Sequence, residues 1–296
     1  KNWTPGNFVQ EQIEEIQRIA GQGNVLIGVS GGVDSTVVAA LVHKAIGNRC
    51  NAVIIDHGLM RKNEVRECLE ALRNGLGVNV YSYDDVLLIP KYSDIDSRSK
   101  ISISSNLNCN LEFGLPVISS PMDTVTGPAM ARSMYNHGGL GIVHRYNSIE
   151  EQVSMVLESR REQRLIIGAA VGVTGDFIER AAALCDAGCS IVCIDVAHGH
   201  HSLMKNALAQ LRNTLGNKVH IMAGNVATRD ALEALADWGA DSVRVGIGGG
   251  SICSTRLVTG HGLPTFQSIL DCSKTDYDIK IIADGGIKTT GDMLKA

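Results

Sequence analysis

From residue 116 onward, short apolar runs alternate with amphipathic stretches at a nearly regular spacing. The runs Pro116–Ser120, Gly141–His144, Leu165–Val171, Ser190–Asp195, His220–Gly224, Ser242–Gly246 and Lys280–Asp284 have the length and composition of buried strands, and they predict seven of them. Between them, DFIERAAALCDAG, SLMKNALAQLRNTLG and RDALEALADWG carry apolar residues at helical spacing, and each closes on the glycine expected at a helix end. Repeated strand–helix units of this spacing predict an α/β fold, a (β/α)8 TIM barrel with its functional residues just past the C-terminal ends of the strands. The eighth strand is expected beyond Ala296, so the barrel read here is incomplete. The segment from Tyr81 to about Gly114 reads as an irregular approach to the first strand.

The first 80 residues have a different rhythm. FVQEQIEEIQRIA has helical periodicity and leads into the apolar run Val25–Val29. SGGVDST, the helix-forming VVAALVHKAIG and a second apolar run, Asn51–Ile55, come next. Strand, loop, helix and strand in this order predict a small parallel βαβ unit. No Pro, Gly or Ser-rich linker joins it to the barrel segment; the seam falls near Val80 and Tyr81, giving domains 1–80 and 81–296. A join this abrupt fits a fusion, a fragment or an artificial junction.

Composition narrows the field. With 296 residues, 44% hydrophobic content and 32 glycines, the chain suits a loop-rich α/β enzyme. A net charge of -4 with no long basic run argues against a nucleic-acid or membrane partner, and no secretory leader or membrane-length apolar span is visible, so a cytoplasmic location is expected. The eight cysteines form no C-x-x-C pair and read as reduced thiols. Cys185, Cys189 and Cys193 recur every four residues but fall on a helix, a turn and a strand. His198, His200 and His201 cluster without a third ligand type, and neither group is read as a metal site.

The stretch Gly246–Arg256, GIGGGSICSTR, carries the chemistry. A glycine ribbon after a strand lets the backbone approach a phosphate or cation closely, and it delivers Cys253 beside whatever is bound. The plain alternative is a small buried cysteine in an ordinary turn. Ser251, Thr255 and Arg256 crowded around it favour covalent chemistry on a phosphorylated small molecule. Asp195 and Asp284 stand at strand ends on the same predicted rim, where caps or turns are the competing reading.

YDDVLLIPKYSDIDSRS, LPVISSPMDTVT, GGLGIVHRYNSIEEQ, GAAVGVTGD, IDVAHGH, MAGNVAT, GIGGGSICSTR and IIADGGI occur in the order found in the inosine monophosphate dehydrogenase/guanosine monophosphate reductase family. The resemblance runs from about Tyr81 to the last residue. It implies a purine mononucleotide along the rim, with Cys253 as nucleophile and Thr255 orienting water. Ser251, Gly285 and Gly286 would hold the phosphate and Asp284 the ribose, while Ser120, Met122, Asn225 and Arg244 line the same site. Asp195 would meet the nicotinamide ribose of NAD, and carbonyls of Gly248, Gly250 and Cys253 would form part of a K+ site. The family's usual proline is replaced by Gly249, which implies a floppier ribbon, since proline removes unfolded-state freedom of roughly 0.4 to 1 kcal/mol. HRYNSIEEQVSMVLESRREQ passes straight to LIIGAAVG, so the family's regulatory CBS insert is absent. A homo-oligomer, usually a tetramer, is implied as well.

SGGVDST resembles the pyrophosphate loop of the N-type ATP pyrophosphatases, most nearly the guanosine monophosphate synthetases. That implies ATP with Mg2+ at Ser30, Gly31, Gly32, Asp34 and Ser35. Four functions are open on these readings: NAD-dependent oxidation of inosine to xanthosine monophosphate; NADPH-dependent reduction of guanosine monophosphate; ATP pyrophosphatase chemistry; or an inactive nucleotide-binding scaffold. SSPMDTVT, VGVTGD and SIEEQ lean towards the dehydrogenase, whereas the missing insert and Thr259–Gly260 lean towards the reductase.

Overall fold

The computed structural model describes residues 5–29, 33–54, 83–108, 110–160, 165–250 and 253–296. They belong to two compact units, Lys1–Val86 and Leu87–Ala296. In the first, α1 (Pro5–Ala20) precedes β1 (Val25–Val29), α2 (Val33–Ile46) and β2 (Cys50–Ile54). β1 and β2 pair in parallel, from Val25 opposite Cys50 to Val29 opposite Ile54, with α2 as the crossover that a parallel pair requires. Ile13, Val42, Ala45, Ile46 and Cys50 form its core. This is the predicted βαβ unit. Ser30, Gly31 and Gly32 lie outside the described residues. The backbone of Asp34 and Ser35 enters the first turn of α2, and their side chains lie outside the description too.

The second unit opens with β3 (Ser105–Asn108) and β4 (Leu111–Phe113), an antiparallel hairpin where the sequence reads as irregular. Then come β5 (Ile118–Ser119), α3 (Pro128–Asn136), β6 (Leu140–Val143), α4 (Ile149–Arg160), β7 (Gly168–Val171), α5 (Phe177–Asp186), β8 (Ile191–Asp195) and α6 (Ser202–Leu215). They are followed by β9 (His220–Val226), α7 (Arg229–Asp237), β10 (Ser242–Val245), α8 (Thr255–Thr259), α9 (Thr265–Cys272), β11 (Lys280–Ala283) and α10 (Thr290–Lys295). β5 to β11 form one seven-stranded sheet in chain order, all neighbours parallel, with β5 and β11 at its edges. It is an incomplete (β/α) barrel, and its seven strands fall on the seven predicted runs.

Two runs are trimmed by more than one residue. β5 keeps only Ile118–Ser119, because Pro116 has no N–H to donate and the Val117 amide turns back to Leu115 O at 2.8 Å. β7 begins at Gly168 rather than Leu165. The helix ends match the pattern, with Gly188, Gly216 and Gly239 at φ 91°, 63° and 101°.

Strand periodicity separates two buried layers. Val192 and Ile194 of β8, Ile221 and Ala223 of β9, and Val243 and Val245 of β10 face outward into the helices. Ile191, Cys193 and Met222 point the other way, with Leu140, Ile142 and Ala170, and are floored by Leu107, Leu111 and Phe113 of the hairpin. The hairpin therefore closes the N-terminal mouth of the sheet, at the strand starts. Because all seven strands run in parallel, their C-terminal ends gather at the opposite rim.

Candidate functional site: a glycine ribbon on the C-terminal rim

The same alternation that lines the interior with Ile191 and Cys193 brings Asp195 to its upper end, and likewise Arg244 from β10 and Asp284 after β11. Arg244 is buried, and its guanidinium bridges two carboxylates: Nη1 donates to Asp195 Oδ1 at 2.6 Å and Nη2 to Asp284 Oδ2 at 2.8 Å. Burial works against its charge, but the Cys193 sulfur, Asp284 and Asp195 together outweigh that and raise its pKa further. Asn225 Nδ2 donates to Asp284 Oδ2 at 2.5 Å and to Gly246 O at 2.8 Å, tying β9, β10 and β11 together at the rim. Arg145, from the end of β6, reaches Asp195 O at 3.4 Å.

The loop after β10 lies directly on the loop after β11. A Cβ on Gly246 would overlap Asp284 O, and one on Gly285 would fall 2.9 Å from Gly250 N. Gly246, Gly248, Gly285 and Gly286 all have positive φ. These contacts explain the glycines in both motifs: the backbones meet where a side chain would stand. Cys253 is half-buried at the end of the ribbon, its amide donating to Gly250 O at 3.1 Å, and Thr255 begins α8 just beyond it.

Ser120 and Met122 sit in a tight turn after β5, with the Met122 amide on Ser120 O at 2.8 Å and Thr126 Oγ1 on the same oxygen at 2.6 Å. Ser251 lies outside the described residues. Arg244 and Asn225, expected to line the nucleotide, have their side chains engaged by protein partners that fix Asp195 and Asp284. His201 Nδ1 accepts the Leu203 amide at the start of α6, and the His200 ring stands 5.9 Å from Trp238. Burial pushes the thiols of Cys185 and Cys193 up to about 11 and that of Cys189 up to about 12.

Gly249 replaces the proline expected there, and the reason is local. A Cβ on Gly249 would overlap Thr265 Oγ1, so α9 fills the space that a side chain or ring would need. Nothing in the sequence around Thr265 marks it as part of the rim, and sequence reading alone misses it.

Residues 80–296 match the model of the IMP dehydrogenase / GMP reductase domain. The chain belongs to this family of oxidoreductases. Within the IMP dehydrogenase/GMP reductase family it is 43% identical to a crystal structure of inosine 5'-monophosphate dehydrogenase from Legionella pneumophila, with a TM-score of 0.67 over 73% of this chain and 65% of that one. The GMP reductase of Trypanosoma brucei, crystallised with guanosine 5'-triphosphate, gives a TM-score of 0.69 at 27% identity, over 75% of this chain and 85% of that one. The GMP reductase of Leishmania major is 30% identical over 73% of this chain and 71% of its own. That alignment spans 350 residues, so the Leishmania protein carries, inside the matched span, residues without a counterpart here. Residues 6–108 match a second model, NAD synthase, which agrees with the ATP-pyrophosphatase resemblance of the first unit and overlaps the other match from residue 80. Among the described residues, no helix is long and apolar enough to cross a membrane.

Proposed function

We propose that the barrel unit oxidises a purine mononucleotide, inosine monophosphate to xanthosine monophosphate, through a covalent adduct on Cys253. The observation that carries this reading is the contact between the two glycine loops: it sets Cys253, through Gly250, on the same rim as Asp284 and the amides of Gly285 and Gly286. Glycine backbone at positive φ with no Cβ in the way forms a concave anion site, which fits a phosphate. Asp284, oriented by Arg244 and Asn225, is the acceptor for ribose hydroxyls. The Cys253 thiolate adds to C2 of the purine, and the hydride lost from C2 passes to a nicotinamide, the oxidant NAD supplies when bound. Asp195, held by Arg244, is the residue for the nicotinamide ribose. Water, oriented by Thr255, then adds to C2 and expels the Cys253 sulfur, leaving the 2-oxo purine. A hard cation suits the carbonyls of Gly248, Gly250 and Cys253 by chemistry, although that of Gly250 already accepts the Cys253 amide.

The higher identity to the Legionella dehydrogenase than to the Trypanosoma reductase, 43% against 27%, supports oxidation over the reverse, ammonia-releasing reduction of guanosine monophosphate. Intact-protein mass spectrometry after incubation with inosine monophosphate and NAD is the test. The expected product is an adduct on Cys253 that Cys253→Ala abolishes while nucleotide binding persists; an unmodified Cys253 during NADH formation would overturn the reading. Reduction is recognised instead by ammonia release from guanosine monophosphate and NADPH. For the first unit, SGGVDST and the match to NAD synthase support a phosphate-binding role, tested by whether ATP is cleaved to AMP and pyrophosphate.

A further inference from the structure

Thr265 opens α9 with its side chain almost fully buried, 4% exposed, and its Oγ1 has no hydrogen-bond partner. A hydroxyl shut away from water without a partner is unfavourable and calls for an explanation. Its surroundings supply one. Oγ1 occupies the place where a Cβ of Gly249 would stand and lies 3.2 Å from where a Cβ of Gly286 would be, and Gly249 O is 3.2 Å from that same Gly286 position. The hydroxyl is therefore wedged into the seam where the glycine ribbon meets the paired glycines after β11.

We propose that Thr265 is a positioning residue for the phosphate cradle, its hydroxyl donating to the Gly249 carbonyl when an anion is seated. The geometry comes from the peptide plane. In a trans peptide the carbonyl of Gly249 and the N–H of Gly250 point in opposite directions. Gly250 N lies 2.9 Å from where a Cβ of Gly285 would stand, beside the paired glycines read as the phosphate site. Turning that N–H to the anion turns the Gly249 carbonyl towards α9, where Thr265 Oγ1 waits. Thr265 thus acts through the ribbon and touches no substrate. The inference rests on the reading of Gly285 and Gly286 as the phosphate site.

The test compares binding of inosine monophosphate with that of inosine, which lacks the phosphate, to the full chain by calorimetry. Thr265→Val keeps the shape and removes the hydroxyl; it is expected to weaken the nucleotide about ten-fold and leave the nucleoside unchanged, while Thr265→Ser stays near wild type. Gly249→Ala is expected to lose nucleotide binding, and Gly249→Ala with Thr265→Ala to recover to the level of Thr265→Ala alone. Equal weakening of nucleotide and nucleoside, or wild-type binding of the nucleotide by Thr265→Val, would overturn the proposal. Should Thr265→Val not fold, failure of Thr265→Ala to rescue Gly249→Ala would do so. A wild-type protein that binds inosine monophosphate no better than inosine removes the phosphate site itself, whereas a missing Cys253 adduct leaves this proposal standing.

Discussion

Arg244 pairs across the sheet with Gly224 and Ile282, above the interior layer that holds Ile191 and Met222, and its charge is tolerated because Asp195 and Asp284 meet it from either side. Breaking a buried ion pair leaves uncompensated charge. Arg244→Met is therefore expected to lower the unfolding free energy by about 3 kcal/mol, the low end for such a loss, because both aspartates keep some contact with water. Arg244→Lys should rescue it only in part, since one ammonium cannot span both carboxylates; urea unfolding measures each. At the other end of the barrel His220 is almost fully buried, Nε2 at 2.8 Å from Ser242 Oγ and Nδ1 at 3.4 Å from Asn108 Nδ2, which suits a neutral ring. Burial holds its pKa below the ordinary 6.5, Asp241 pulling it up and Arg212 pushing it down. With the folded value depressed, the unfolded chain takes up the proton first. The contribution is complete above pH 6.5 and is lost as pH falls from there towards the depressed folded value. Urea midpoints followed from about pH 7.5 down to about 5 should show this slope, and His220→Gln should flatten it.

At the scale of elements, the hairpin β3–β4 has the clearest physical task. Leu107, Leu111 and Phe113 plug the floor beneath Leu140, Ile191 and Met222. Phe113→Ala is expected to cost about 3 kcal/mol by leaving a cavity there, seen as a lower urea midpoint and increased binding of an apolar dye. This element is readable in principle: Leu107, Leu111 and Phe113 share one parity in SNLNCNLEF, the period of a strand, but the asparagines between them read as loop. The barrel strands are legible for the opposite reason, as continuous apolar runs marked off by glycine-closed helices. Pairings are not legible. Nothing local in Ser242–Val245 says that Arg244 meets residues 49 and 40 positions away, although a lone arginine in a strand of that kind announces that it must have partners. Gly249 is visible as a departure, and only α9 explains it.

At the scale of the whole molecule, the cores of the two units share no residue among the described residues: Ile13, Val42 and Ile46 serve the first, and the barrel has its own two layers. Val42→Asp is expected to unfold the first core while Cys253 still forms its adduct, checked by proteolysis and mass spectrometry on the same sample. The crossing of the two glycine loops has a consequence for variation. At Gly246 and Gly285 the nearest atoms are main chain, which cannot move aside as the Thr265 side chain beside Gly249 and Gly286 can. A saturation library scored only for soluble expression should already be blank at Gly246, so selection on the fold alone is enough to keep the ribbon's spelling there, whether or not any turnover is required.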